Sequence, residues 1–173
     1  RRLPGLTDYA TAVTAMQRFS NERRPDTPDE IWLLQHPPVY TLGLNTDPAH
    51  LLGTGTIPVV QTDRGGQVTY HGPGQLIAYV MVDLVRARLG IRSIITAMET
   101  AVIGLAASHC INALARSDAP GVYVDGAKLA SVGLRVHINS AHPSAQILGT
   151  DRLGSGTIVD PSGFVSSANP STP

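Results

Sequence analysis

An α+β domain, a mixed β-sheet with helices packed on it, is the fold class that the 173 residues predict. Three observations carry this expectation. Two stretches repeat apolar residues at helical spacing, and several short β-branched runs end at Pro, Gly or Asx residues. Strands and helices also fail to alternate strictly, as a doubly wound parallel sheet would require. The length matches about one domain. With 42% hydrophobic and 15% charged residues, the chain can build a core and carries too little charge for a wholly disordered polymer.

From Thr7 to Arg24, Tyr9, Ala12, Val13, Met16 and Phe19 recur at helical spacing behind an N-cap at Thr7 or Asp8. Pro25-Asp26-Thr27-Pro28 ends that helix. Strands follow at 31–35 and 39–42, separated by His36-Pro37-Pro38, then a short strand from Ile57 to Gln61 and a buried strand from Leu76 to Leu84. Ser93 reads as the N-cap of a second helix, with Ile94, Ala97, Met98, Ala101, Val102, Leu105 and Ala106 as its apolar stripe. Residues 121–124 and 127–136 read as a β-hairpin, because Asp125-Gly126 supplies the positive φ of a two-residue turn. Beyond it the texture changes: 18 of the 36 residues from Ile138 to Pro173 are Ser, Thr, Gly or Pro, so poorer packing is expected there.

Composition excludes several function classes. A net charge of zero provides no global attraction to nucleic acid or to an anionic membrane. One cysteine, Cys110, cannot make an internal disulfide or a Cys-rich metal site, and a reducing, cytoplasmic setting is expected. As a free thiol near a helix end, it reads as a small buried hydrophobe. His36, His71, His137 and His142 lack metal-ligand spacing, so no metal is expected, and no cofactor. The apolar runs look too short and interrupted for a membrane span, and no signal peptide is expected.

The strongest local signal runs from Arg64 to Gln75. Its glycines leave backbone N–H groups uncovered beside Arg64, Thr69, Tyr70 and His71, a donor set suited to a carboxylate, carbonyl or phosphate. A glycine-rich turn between two strands fits the same pattern. The spacing is neither that of a P-loop nor that of a dinucleotide fingerprint.

The run Arg64-Gly65-Gly66-Gln67-Val68-Thr69-Tyr70-His71-Gly72-Pro73-Gly74-Gln75 resembles the signature of the lipoyl (octanoyl) transferases, whose fold is similar to the biotin and lipoate protein ligase catalytic domain. The resemblance extends through Asp29-Glu30-Ile31-Trp32, residues 36–41, and residues 118–124, to 128–135. It implies a catalytic core over residues 1–136 and a divergent C-terminal part of the same domain over 137–173. It also implies transfer of an octanoyl group from octanoyl-acyl carrier protein to a lysine of a lipoyl domain, through an acyl-enzyme. The acceptors implied are the lipoyl domains of 2-oxoacid dehydrogenase complexes and the glycine cleavage H protein. Arg64, Gly65, Gly66, Gln67, Val68, Thr69, Tyr70 and His71 would line the acyl pocket with Ser131, Val132 and Gly133, and Lys128 would pair with the nucleophile. A nearby ammonium favours a thiolate, and the same lysine can exchange protons with the incoming amine. Taken without the resemblance, Lys128 reads as an exposed strand lysine.

The sequence departs from the family pattern further on. Where the family has His-Gly-x-Ala-Leu-Asn, this chain keeps only His142 and Ala145; where it has the nucleophile in Pro-Cys-Gly, Ser162 stands in Pro161-Ser162-Gly163. An alkoxide is harder to reach than a thiolate, so Ser162 would need a general base and a good oxyanion site. Two alternatives stay open beside the active enzyme: a catalytically impaired relative that binds an acyl chain or lipoyl domain, and a degenerate C-terminal segment on a standard fold. An ATP-dependent lipoate ligase would want a nucleotide loop that the sequence does not display.

Overall fold

A computed structural model describes residues 1–44 and 46–133, together with the backbone of four short strands beyond them. Two compact units emerge, one from residues 1–87 with 135–173 and one from residues 88–134. Mixed sheets and helices make the class α+β, but the strands form several small sheets instead of a single one.

In the first unit, β1 (Arg2–Leu6), β2 (Glu30–Gln35) and β6 (Ile77–Met81) form one sheet in the order β1-β2-β6, with β1 parallel and β6 antiparallel to β2. A second sheet has the order β4-β3-β5, from β3 (Val39–Leu42), β4 (Val59–Gln61) and β5 (Thr69–His71). Alternation along β2 and β3 sends Trp32, Leu34, Val39 and Thr41 inward, and Ala12 of α1 (Tyr9–Asn21) is buried with them. Asp8 is the cap of α1: its carboxylate accepts from the Thr11 N–H and hydroxyl, both at 2.8 Å.

Two expectations for this unit need correction. Strand β1 lies in residues to which the sequence reading assigns no element; as an edge strand it tolerates a proline, and its register with β2 shifts between Arg2 and Leu6, where Gly5 takes φ +69°. The buried strand expected over Leu76–Leu84 is shorter and half-buried: Leu76 is 63% exposed, and Asp83 caps a new short helix, α2 (Leu84–Ala87), by accepting from the Arg86 N–H at 3.0 Å. Asp29 ties α2 back to β2. Burial pushes its carboxyl up, yet the Asp83 N–H, Arg86 and Arg23 together hold it below the usual carboxylate value.

The second unit packs α3 (Ile91–Ser108) with an antiparallel sheet of β7 (Leu114–Ala115), β8 (Val122–Val124) and β9 (Ala127–Ala130). Its core is Ala106, Ala113 and Val122, flanked by Val102, Ile103, Val124 and Ala130. The expected two-residue turn is present, with Asp125 at φ +49° and Gly126 at φ +82°. Its second strand stops at Ala130, short of the expected Val136. The cap of α3 is Gly90, not Ser93, because the extended backbone of Gly90 starts the helix at Ile91 and leaves Ser93 exposed inside the first turn. The stripe also rotates: Ala97, Ala101 and Leu105 are exposed, and Glu99 takes a buried place beside Ile94 and Ala106. By length and composition alone α3 is long and apolar enough to cross a membrane; here Ala106, with Val102 and Ile103, contributes to the core of its unit. Cys110 follows it, exposed at φ +60° instead of buried. Farther on, β10 (Val136–His137) pairs antiparallel with β11 (Asp151–Arg152), and β12 (Thr157–Val159) with β13 (Val165–Ser167).

The Thr11 hydrogen bonds hold the Asp8 carboxyl below its ordinary value of 3.8, so the cap stabilises the fold above that pH and is lost as pH falls through the folded-state value. Asp8→Ala is expected to lower the melting temperature at neutral pH, with the gap from the parent closing in acid. A gap that stays constant across that range would assign the loss to something other than the charged cap.

Candidate functional site

The Arg64–Gln75 segment lies across the end of the β4-β3-β5 sheet and includes β5. Arg64 folds back over its own loop. Its Nη2 donates to the Thr41 carbonyl at 2.8 Å, the Thr41 hydroxyl at 2.8 Å and the Gln67 carbonyl at 2.9 Å, while Nη1 donates to the Gly65 carbonyl at 3.0 Å. Burial lowers the guanidinium's proton affinity, yet an arginine keeps its charge at such a site. The Leu44 N–H donates to the Arg64 carbonyl at 3.0 Å, and the Gln67 side-chain carbonyl accepts from the Asp47 N–H at 3.3 Å and from His50 at 3.1 Å. Backbone meets backbone at Gly43, where any Cβ would overlap the Gly66 carbonyl oxygen, and Gly66 itself sits at φ +89°. The far end of the segment is tied to β2, because the Gly74 N–H donates to the Gln35 side chain at 2.8 Å. Thus donors that the sequence suggests for a ligand, Arg64 and the Gly74 N–H, are here engaged in bracing the loop.

Thr41 lies at the centre. It is fully buried, and its hydroxyl, having accepted from Arg64, faces the Thr69 carbonyl at 3.4 Å and His71 Nε2 at 3.5 Å. His71 Nδ1 donates to the Gln75 side-chain carbonyl at 2.7 Å, which leaves Nε2 of the neutral ring as an acceptor. Burial depresses the His71 pKa most; Gln75 opposes this, and His36 and Arg64 add to the depression. His36 is also fully buried, its ring centroid 5.8 Å from that of His71. Its Nδ1–H donates to the Thr7 carbonyl at 2.6 Å, so Nε2 accepts from the Tyr79 hydroxyl at 2.8 Å. Burial pushes the Tyr79 phenol well above its ordinary value and keeps it a donor. The Tyr9 ring stacks on His71 with centroids 6.1 Å apart and meets His36 edge-on at 5.2 Å. The result is a guanidinium, two imidazoles and two phenols in one cluster, whose polar groups largely satisfy one another.

The remaining sequence-derived residues fall elsewhere. Gln67 and Tyr70 are exposed, Tyr70 packing on Tyr40 with ring centroids 5.3 Å apart, and Val68 and Thr69 are half-buried. Lys128, on β9 of the second unit, is exposed; its ammonium donates to the Pro120 carbonyl at 3.2 Å and lies 5.3 Å from the Tyr123 ring centroid. Ser131 and Gly133 are exposed and Val132 half-buried just beyond β9. His142, Ala145 and Ser162 lie outside the described residues. Among the described residues, no group of three or more His, Cys, Asp and Glu side chains could hold a metal ion.

Sequence reasoning missed Thr41, Tyr9 and Tyr79, and gave His36 no role. A signal was present for Thr41: the period-two alternation of β3 puts it on the same inward face as Val39, where a polar side chain needs a reason.

Two outcomes follow from this geometry. Thr41→Val keeps the shape but removes the hydroxyl, one of the three acceptors that the two Nη2 N–H groups share, so stability is expected to fall by about 0.5–1.5 kcal/mol in chemical denaturation; an unchanged midpoint would remove the Thr41 hydroxyl from the brace. The depressed His71 pKa means that the unfolded chain binds a proton first. Stability is therefore complete above the ordinary histidine value of 6.5 and declines as pH falls from there toward the folded-state value. His71→Asn should abolish that part of the decline; identical pH profiles for parent and variant would contradict the assignment.

The sequence model of the lipoyl protein ligase A/B catalytic domain matches residues 8–144. An octanoyltransferase from Methylococcus capsulatus is 62% identical over 135 residues, covering 78% of this chain and 65% of the relative. Another, from Pseudomonas syringae, is 58% identical over 132 residues, covering 76% and 61% respectively. A third, from Nitrosomonas eutropha, is 49% identical over 160 residues, 92% of this chain and 71% of the relative, so its match runs past residue 136. The chain spans a little under two thirds of the length of the first two relatives. With the family match covering most of its length, the chain belongs to the lipoyl protein ligase A/B catalytic domain family.

Proposed function

We propose that this chain is an acyltransferase of protein lipoylation that moves an octanoyl group from octanoyl-acyl carrier protein to a lysine of a lipoyl domain. The observation that carries this reading is the braced twelve-residue segment Arg64–Gln75 in a chain 62% identical to a protein named octanoyltransferase. The acceptors are the lipoyl domains of 2-oxoacid dehydrogenase complexes and the glycine cleavage H protein, and the setting is the cytoplasm. Residues 1–136 supply the catalytic core and residues 137–173 continue the same domain.

In this reading Arg64 to His71 line the acyl pocket with Ser131, Val132, Gly133, His142 and Ala145. The Ser162 hydroxyl attacks the thioester carbonyl: a C–O bond forms, the C–S bond breaks and the carrier thiol leaves. Lys128 relays the proton, giving one to the departing sulfur and recovering one from the serine hydroxyl. The neutral lipoyl-domain amine then attacks the ester carbonyl, a C–N bond forms, the C–O bond breaks, and the one proton that nitrogen gives up passes through Lys128 to the serine oxygen. A second reading, an acyl or lipoyl-domain binder without turnover, is favoured by one observation: the only cysteine is Cys110, beyond the end of α3, while the resemblance puts Ser162 at the position of the family's nucleophile.

Incubation with octanoyl-acyl carrier protein and an apo lipoyl domain, followed by intact-mass spectrometry, separates the two. An octanoyl adduct on the chain and octanoylated lipoyl domain are expected, and Ser162→Cys should raise transfer about tenfold or more. If neither adduct nor transfer forms while an acyl titration monitored by Trp32 fluorescence saturates, the binder reading takes its place.

A further inference from the structure

Lys128 is the only lysine in the chain, and its amine is placed by contacts within the second unit. The Pro120 carbonyl accepts from it at 3.2 Å, and the Tyr123 ring lies under it at 5.3 Å. The Tyr123 hydroxyl in turn donates to the Ala119 carbonyl at 3.2 Å, so both contacts lead to the turn at residues 119–121. That turn is held from α3. The buried Gly121 N–H donates to Glu99 Oε1 at 2.8 Å. Gly121 has φ +132°, and a Cβ there would stand 2.6 Å from the Ala130 carbonyl oxygen and 3.3 Å from Lys128 Cε, so the backbone passes directly beneath the lysine stem.

Glu99 is the exception on its face of α3. Its neighbours on that side, Val102, Ile103 and Ala106, are apolar, and Glu99 is buried, 8% exposed. A carboxyl in such a place costs stability unless a donor meets it, and an apolar side chain would pack there without that cost. The donor that meets it is the N–H of the residue following the carbonyl that holds Lys128.

We propose that Glu99 is a positioning residue for Lys128, acting through the Gly121 N–H and the Pro120 carbonyl to fix where the amine stands. This rests on the reading of Lys128 as the proton-exchanging amine of acyl transfer. Glu99 itself touches neither acyl group nor nucleophile in this scheme; it sets the turn, the turn sets the amine, and a displaced amine slows proton exchange without weakening donor binding.

The test uses the full chain labelled with 13C at lysine Cε, which gives one signal because there is one lysine. Glu99→Met keeps similar volume and removes the acceptor. The lysine signal is expected to move toward the position of free lysine, and acetic anhydride should modify Lys128 about fivefold faster. In the transfer assay kcat should fall about tenfold with KM for the acyl donor nearly unchanged, and Glu99→Gln, which restores an acceptor, should recover most of the loss. A folded Glu99→Met chain whose lysine signal and modification rate match the parent overturns the proposal, as does a Glu99→Gln chain that behaves like Glu99→Met. Should Glu99→Met not fold, Glu99→Asp withdraws the acceptor by one methylene and must shift the signal in the same direction; no shift overturns it. A parent that transfers nothing while its lysine signal responds to Glu99 removes the acyltransferase reading and leaves the coupling standing. A parent that transfers, with an unresponsive lysine signal, removes the coupling alone.

Discussion

A guanidinium drawn half out of water must find acceptors for its N–H groups or lose the hydration it gave up. Arg64 finds them within its own loop and on β3: carbonyls of Thr41, Gly65 and Gln67 and the hydroxyl of Thr41. These charge-assisted bonds convert a glycine-rich segment with much backbone entropy to lose into one with a fixed path across a sheet end. The position of His71, the seating of Gln67 under Asp47 and His50, and the attachment of Gly74 to Gln35 all come after that path is set.

Buried polar side chains mark the supports of both units. Among the described residues, the buried polar or charged ones are His36, Thr41 and Glu99. None is an isolated defect, because each answers a specific partner: His36 joins the Thr7 carbonyl to the Tyr79 hydroxyl, Thr41 joins Arg64 to β5, and Glu99 holds the Gly121 N–H. Apolar burial around Trp32 and Leu34 in one unit and around Ala106 and Val122 in the other supplies the driving force for compaction. The polar contacts add direction, since a hydrogen bond fails when its partner moves by an ångström, whereas apolar packing can slide.

Elements whose geometry is dictated by their own residues were legible in the sequence. Asp8 with the periodic run behind it specifies α1, Asp125-Gly126 specifies a tight turn, and the alternating β-branched runs specify β2 and β3. What escaped was decided by partners distant in the chain. Pro4-Gly5 becomes strand only because β2 offers an edge, and β9 ends where its pairing with β8 ends. The start of α3 at Gly90 was hidden because the more favourable capping side chain, Ser93, lies within the first turn. The site was legible as a motif and not as a mechanism of support: the spacing of Arg64 to Gln75 announces a special loop, but no pattern within it reveals that Arg64 turns inward onto Thr41, 23 residues earlier.

The contact of Gly43 with Gly66 also limits how this part of the sequence can drift. Most close contacts in proteins join side chains, so an enlarged residue on one side can be matched by a reduced one on the other. Here both sides have already reached the smallest residue, and the groups that meet are the Gly43 α-carbon and a main-chain carbonyl. No second-site replacement can make room, because no side chain is left to trim. Gly43 therefore has no compensatory route in sequence space other than moving the strand or the loop, and moving either would take Thr41 away from Arg64, whereas Gly66 is held to glycine by its φ of +89°.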